Sequence, residues 1–144
     1  MSDKYLTIAE KEIGIAEFPG AKANPRIIEY DTHTSLKATS DEVAWCSAFA
    51  NFVVDTAGDK GTNSAAARSW LNWGVPIPNP EKGCIVVLDR HDNANPQAAH
   101  VCFWVGDLAN NMFKAIGGNQ GDQVKYSNFS YDKVLGFRKA KESV

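Results

Sequence analysis

Three residues far apart in the chain carry side chains that could act as one nucleophilic site: Cys46, His100 and Asn119. A thiol attacks carbonyl groups as its thiolate, and both the positive end of a helix and a nearby imidazole favour that state. Cys46 precedes an apolar stripe at helical spacing, Ala48, Phe49, Phe52 and Val53, so a helix starting near Ala44 puts the thiol in the first turn. Its backbone N–H would then face the oxyanion of a tetrahedral intermediate. His100 heads a strand-like run and can supply the imidazole; the pairing is spatial, so the 54-residue separation is no obstacle. Such a histidine needs an acceptor on its second nitrogen. Asn119, just after Gly117-Gly118, can offer its amide oxygen without adding negative charge. Cysteine, histidine and asparagine form one known variant of the nucleophile, base and orienter trio.

Each of these residues also has a plainer reading. A cysteine before an apolar stripe is commonly a small buried hydrophobe, a histidine can be structural, and an asparagine beside two glycines can simply make a turn. Cys84 and Cys102 lie in strand-like runs and read as packing residues; His33 and His91 sit in polar loops and read as surface residues. Trp45, Trp70, Trp73 and Trp104 read first as core or groove wall. Asp89, Asp92, Asn93 and Asn95 crowd oxygen ligands that could hold calcium, but their spacing is not that of a helix-loop-helix calcium motif. No metal or cofactor is expected. The cysteines, 38 and 18 residues apart, lack the close pairs of structural zinc sites, and their odd number does not suggest a disulfide scaffold.

The elements that must position the trio follow from periodicity. Tyr5 to Ile13 reads as an amphipathic helix stopped by Gly14, and Pro25 to Tyr30 as a short helix with the proline in its first turn. Asp31 to Asp41 reads as a loop. Trp45 to Ala57 reads as a buried helix ending at Gly58, although Thr39 and Glu42 fit a capping box that would start it earlier and leave Cys46 two turns in. Asn63 or Ser64 could cap a further helix through Leu71, stopped by Gly74, and Pro76, Pro78 and Pro80 forbid regular structure after it. Strands are expected over Cys84–Leu88, His100–Val105, Asn111–Ile116 and Val134–Arg138, with turns at Gly106-Asp107 and Gly117-Gly118. Arg90 to Ala99 reads as a long polar loop over one end of the sheet. Helices first and an antiparallel sheet second make an α+β pattern.

The 144 residues, 44% hydrophobic, suffice for one domain with a real core, so residues 1–144 are read as a single domain. Fifteen basic and 17 acidic residues without a run of either sign make nucleic acid an unexpected partner. No apolar run approaches the roughly 20 residues of a transmembrane helix, and the start, with Asp3, Lys4, Glu10 and Lys11, has no signal-peptide core. Synthesis in the cytosol is expected, with any export by another device.

Several pieces, taken together, resemble the CHAP and NlpC/P60 cysteine peptidases, in particular small phage and prophage peptidoglycan hydrolases. They are Trp45-Cys46-Ser47-Ala48-Phe49, Ser64 through Leu71, Gly83, His100-Val101, Gly117-Gly118-Asn119-Gln120 and Leu135-Gly136-Phe137-Arg138. The resemblance implies a papain-like α+β fold, with N-terminal helices packed on a C-terminal antiparallel sheet. It implies an enzyme acting on peptidoglycan, with Cys46 as nucleophile, His100 as general base and Asn119 as the orienting residue; a monomer is expected. It also implies the later helix start. Many relatives of this kind carry an acidic residue at the position of Asn119, and an apolar one at that of Cys102. The bond cut would be the muramoyl–L-alanine amide or a stem or cross-bridge peptide bond. A phage lysin released to the wall through a separate pore, or an effector delivered by a secretion machine, fits the expected lack of a signal peptide. A wall-peptide-binding module without catalysis, and a transferase or deamidase using the same thiol, are the competing expectations.

Overall fold

The apolar stripe after Cys46 forms helix α3, Cys46–Thr56, buried from its first residue through Val54 and left through Gly58 at φ +95°. Its beginning at Cys46 is the later of the two starts considered; Thr39 and Glu42 lie outside the described residues. The computed structural model describes residues 3–17, 24–34, 45–90 and 98–141. Helix α1, Asp3–Glu10, precedes Gly14 at φ +97°. Helix α2, Pro25–Asp31, starts on a proline with Asn24 as its cap, the Asn24 side chain accepting from the Arg26 N–H at 2.9 Å. Among the described residues no helix is long and apolar enough to cross a membrane.

The second half folds as strands β1 (Val75–Ile77), β2 (Ile85–Asp89), β3 (Ala99–Leu108), β4 (Met112–Gly117), β5 (Lys125–Ser130) and β6 (Val134–Lys139). They form one sheet in the order β1-β6-β2-β3-β4-β5, with every neighbouring pair antiparallel. Alternation sorts its side chains. Ile85, Val87, Val101, Phe103 and Ile116 pack with Phe49, Val53, Tyr5 and Ile27 of the helices. Val86, Leu88, Cys102, Phe113 and Ala115 form a second cluster on the other face, with Trp104, Phe129, Tyr131 and Phe137 packed against it. Both faces are therefore covered, so Phe103 and Trp104 are both accommodated, and the Trp104 indole donates to the Tyr131 hydroxyl at 3.1 Å.

Four expectations change. Residues 63–66 are not helical, and only a 3-10 helix, Ala67–Asn72, follows. The reason is Asn51, wholly buried in α3: its amide donates to Thr62 Oγ1 and the Ser64 carbonyl, both at 3.2 Å, and accepts from the Asn63 N–H at 2.9 Å. These bonds hold the segment out of a helix, with Asn63 in the left-handed region at φ 56°. Pro76 sits inside β1, allowed there because β1 is an edge strand with one free side. The Gly106-Asp107 pair does not turn the chain; a register shift there lets β3 continue, and Asn110 and Asn111, at φ 63° and 62°, make the turn into β4. Strand β5, absent from the expected set, pairs along all of β4.

Asn51→Ala should destabilise the protein by about 2–3 kcal/mol, because it leaves the Asn63 N–H and the bonds it organises unmatched. Urea denaturation of the two proteins measures this directly, as a lower midpoint at an unchanged slope.

Candidate active site

Cys46 is the first residue of α3, and its neighbours on both sides are fixed. Trp45, fully buried, donates its indole N–H to Glu17 at 2.9 Å and stacks on Tyr30. Ser47 donates to the Ser64 carbonyl at 2.7 Å and accepts from the Trp70 indole at 2.9 Å. The helix start is thus a rigid platform, held by residues whose position in the Trp45-Cys46-Ser47 run was the only hint of their role.

The β4 exit is pressed against that platform. A Cβ on Gly118 would lie 2.6 Å from Phe49 Cβ and 2.7 Å from the Trp45 ring, closer than side chains tolerate. A Cβ on Gly117 would lie 2.7 Å from Gln120 Oε1 and 2.9 Å from Cys102 Cβ. The two glycines therefore do more than turn the chain: one admits the helix and the other admits the glutamine amide.

His100, half-buried near the start of β3, pairs in register with Leu88 of β2 and rests its ring against Phe129. Its Nε2 lies 2.9 Å from Gln120 Oε1. The other end of that amide, Gln120 Nε2, donates to the Lys125 carbonyl at 2.7 Å, which dictates which end faces the ring. Nε2 is accordingly the donor, and Nδ1 is left for a thiol.

The structure brings all three expected residues to one cleft of about 350 Å³, lined by Cys46, His100 and Asn119 together with Gln120. It differs on the orienter. Asn119 takes the left-handed conformation, φ 58°, and has no hydrogen bond to His100 among the described residues; the bond belongs to Gln120. Asn119 serves the turn, and the next residue, longer by one methylene, reaches the ring. Adjacency to Asn119 was the available signal for Gln120, and the plainer turn reading of Asn119 was the physical clue.

Electrostatics separate the three cysteines, all free thiols. Burial pushes Cys46 up, but the His100 hydrogen bond and charge, with backbone donors at Val101 and Ser47, outweigh it and hold the thiol below its ordinary value. Burial likewise works against a charged His100, yet its bonds to Cys102 and Cys46 hold it well above the ordinary imidazole value. Burial raises Cys102, offset only in part by His100, and pushes Cys84 up to about 12. Both shifts run in the direction of a thiolate at Cys46 and an imidazolium at His100. Cys102 shares the strand face of His100, as alternation requires, and is wholly buried; it also bonds His100, so it does more than the packing expected of it. His33, expected at the surface, is partly buried and bonds Asp55 through Nδ1 at 2.8 Å. His91, Asp92, Asn93 and Asn95 lie outside the described residues.

Gln120→Leu should slow alkylation of Cys46 near pH 6 by about tenfold, the worth of a lost hydrogen bond to a charged group. Asn119→Ala should change it by less than about twofold. Rates of iodoacetamide labelling at Cys46, followed by peptide mapping, separate the two.

Helices packed on an antiparallel sheet, with a thiol at a helix start and a histidine near a strand start lining one cleft, make this an α+β fold. A crystal structure described as similar to lipoprotein, NLP/P60 family, from Staphylococcus aureus subsp. aureus Mu50 matches it with a TM-score of 0.57 at 19% identity. The match covers 99% of this chain and 42% of that one, so the chain spans less than half that protein's length. At this identity the likeness shows the fold. No family model and no curated protein matches the chain.

Proposed function

We propose that the protein is a cysteine hydrolase that cleaves an amide bond of peptidoglycan, with Cys46 as nucleophile, His100 as acid and base, and Gln120 as the orienting residue in place of Asn119. The observation that carries this reading is the Cys46–His100 pair itself, set at a helix start and backed by the 2.9 Å bond from His100 to Gln120. The fold shared with an NLP/P60-family lipoprotein supports the choice of cell wall as substrate.

In this reading the Cys46 thiolate adds to the carbonyl carbon, and negative charge collects on the carbonyl oxygen. As the first helical residue, Cys46 has no intrahelical acceptor for its N–H, and that N–H is the donor we assign to the oxygen. His100, protonated at the outset, gives its proton to the departing amine, and the C–N bond breaks to leave a thioester. Neutral His100 then takes a proton from water as the hydroxyl attacks the thioester, and acid and thiolate are released with His100 protonated again. Both the muramoyl–L-alanine amide and a stem or cross-bridge peptide bond fit this chemistry. A phage lysin acting on the wall is the biological role we assign to it.

Digestion of purified sacculi with the unsubstituted protein and with Cys46→Ala, read by mass spectrometry of the soluble products, tests the proposal. Products that depend on Cys46 are expected, a free lactyl group marking an amidase and a cut stem or bridge marking an endopeptidase. Identical outcomes for the two proteins would sink the hydrolase reading.

A further inference from the structure

The cleft that holds Cys46 and His100 also holds two cations that this chemistry leaves unused. Arg90 directly follows β2, Lys133 directly precedes β6, and both line the cleft. Both are exposed, and neither side chain has a hydrogen-bond or ion-pair partner among the described residues. Asp89, on the same wall, carries the opposite charge but has a partner of its own.

Register places the two cations near each other and near His100. Leu88 of β2 pairs with His100 on one side and with Val134 of β6 on the other. Arg90 is therefore two residues beyond the strand position flanked by His100 and Val134, and Lys133 is adjacent to Val134. Neighbouring strands lie about 4.8 Å apart, which puts the backbone beside Lys133 about 10 Å from that of His100. An extended substrate covers roughly 3.3–3.6 Å per residue, so this is about three residues of reach. With 15 basic and 17 acidic residues the chain as a whole is slightly acidic, so paired cations here are not a reflection of a generally basic surface.

We infer that Arg90 and Lys133 form a carboxylate subsite of the cleft, selecting amide substrates that bear a free carboxylate within about three residues of the bond to be cut. This rests on reading Cys46 as an amide-cleaving nucleophile. A guanidinium fork and an ammonium converging on one carboxylate supply charge-assisted hydrogen bonds, and a primary amide at that position would forfeit most of their attraction.

The test is calorimetric binding to Cys46→Ala protein, in which no turnover intervenes. The two probes are a peptidoglycan stem peptide with a free side carboxylate and the same peptide with that carboxylate converted to a primary amide. The carboxylate form is expected to bind at least about tenfold more tightly, and the preference should shrink to within about twofold when Arg90→Gln and Lys133→Gln are added. These side chains are exposed, so their replacement removes no buried contact. Equal affinities, no measurable binding of either form, or a preference that survives the double substitution would overturn the subsite. Cleavage of the same peptides by unsubstituted protein is scored separately: absence of Cys46-dependent cleavage overturns the hydrolase reading, while the binding ratio still decides the subsite.

Discussion

His100→Ala should lower peptidoglycan amide hydrolysis by on the order of 10³-fold or more, because two functions leave with one ring. The imidazolium offsets the burial of a thiolate at Cys46, and without it burial is the dominant influence on that thiol and pushes it upward. In the proposed mechanism the same ring also gives the proton to the departing amine. The pH dependence of the unsubstituted protein carries the same signature. Cys46 is held below the ordinary thiol value, so activity is lost on the acid side as the thiolate takes up a proton. His100 is held well above the ordinary imidazole value, so activity is lost on the alkaline side as its proton leaves. A bell-shaped kcat/KM profile is expected, extending to more alkaline pH than an unperturbed imidazole would allow. Raising the pH should not rescue His100→Ala, since the regained thiolate would still lack a proton donor. Assaying both proteins across pH checks each limb.

Gly118→Ala should destabilise the protein by roughly 1–3 kcal/mol, the usual range for overpacking a close-packed core. A single added methyl must occupy space 2.6–2.8 Å from Phe49 Cβ and the Trp45 ring, and the ring is pinned by its Glu17 bond and Tyr30 stack. Either the start of α3 or the exit of β4 has to move. Both line the cleft, through Cys46 on one and Gln120 on the other. A displacement of about 1 Å in such an arrangement costs on the order of 10²-fold in rate. Activity should therefore fall even at temperatures where the variant stays folded, and thermal unfolding followed alongside sacculus digestion distinguishes the two losses.

The parts of the fold that were legible are those in which periodicity and packing agree. The stripe from Ala48 to Val53 is apolar on the face that meets the sheet, and Ile85 to Leu88 is apolar throughout because both sheet faces are covered. The segment after Asn63 was misread because local capping chemistry was overruled by a distant residue, Asn51, which claims its backbone groups. Strand β5 was missed because Lys125 to Ser130 is mostly polar, and its pairing with β4 rather than its own pattern makes it a strand. The site divides in the same way. Cys46 and His100 each have an intrinsic chemistry and sit near the start of an element, so their meeting in one cleft could be expected. The orienter depends on which of two adjacent amides points at a ring, and that is decided by the left-handed turn at Asn119 and the anchoring of Gln120 to the Lys125 carbonyl.

The most direct test of an activated thiol is the pH dependence of iodoacetamide labelling, resolved by peptide mapping into rates for Cys46, Cys84 and Cys102. Cys46 lines the cleft and is 7% exposed, whereas Cys84 and Cys102 are 1% and 0% exposed. Selective labelling at one pH would therefore reflect access as well as ionisation, and the shape of the pH curve removes that ambiguity. The account predicts that the Cys46 rate is already near its plateau below the ordinary thiol range of about pH 8.5. A Cys46 rate that is negligible near neutrality and climbs only through that range would contradict it.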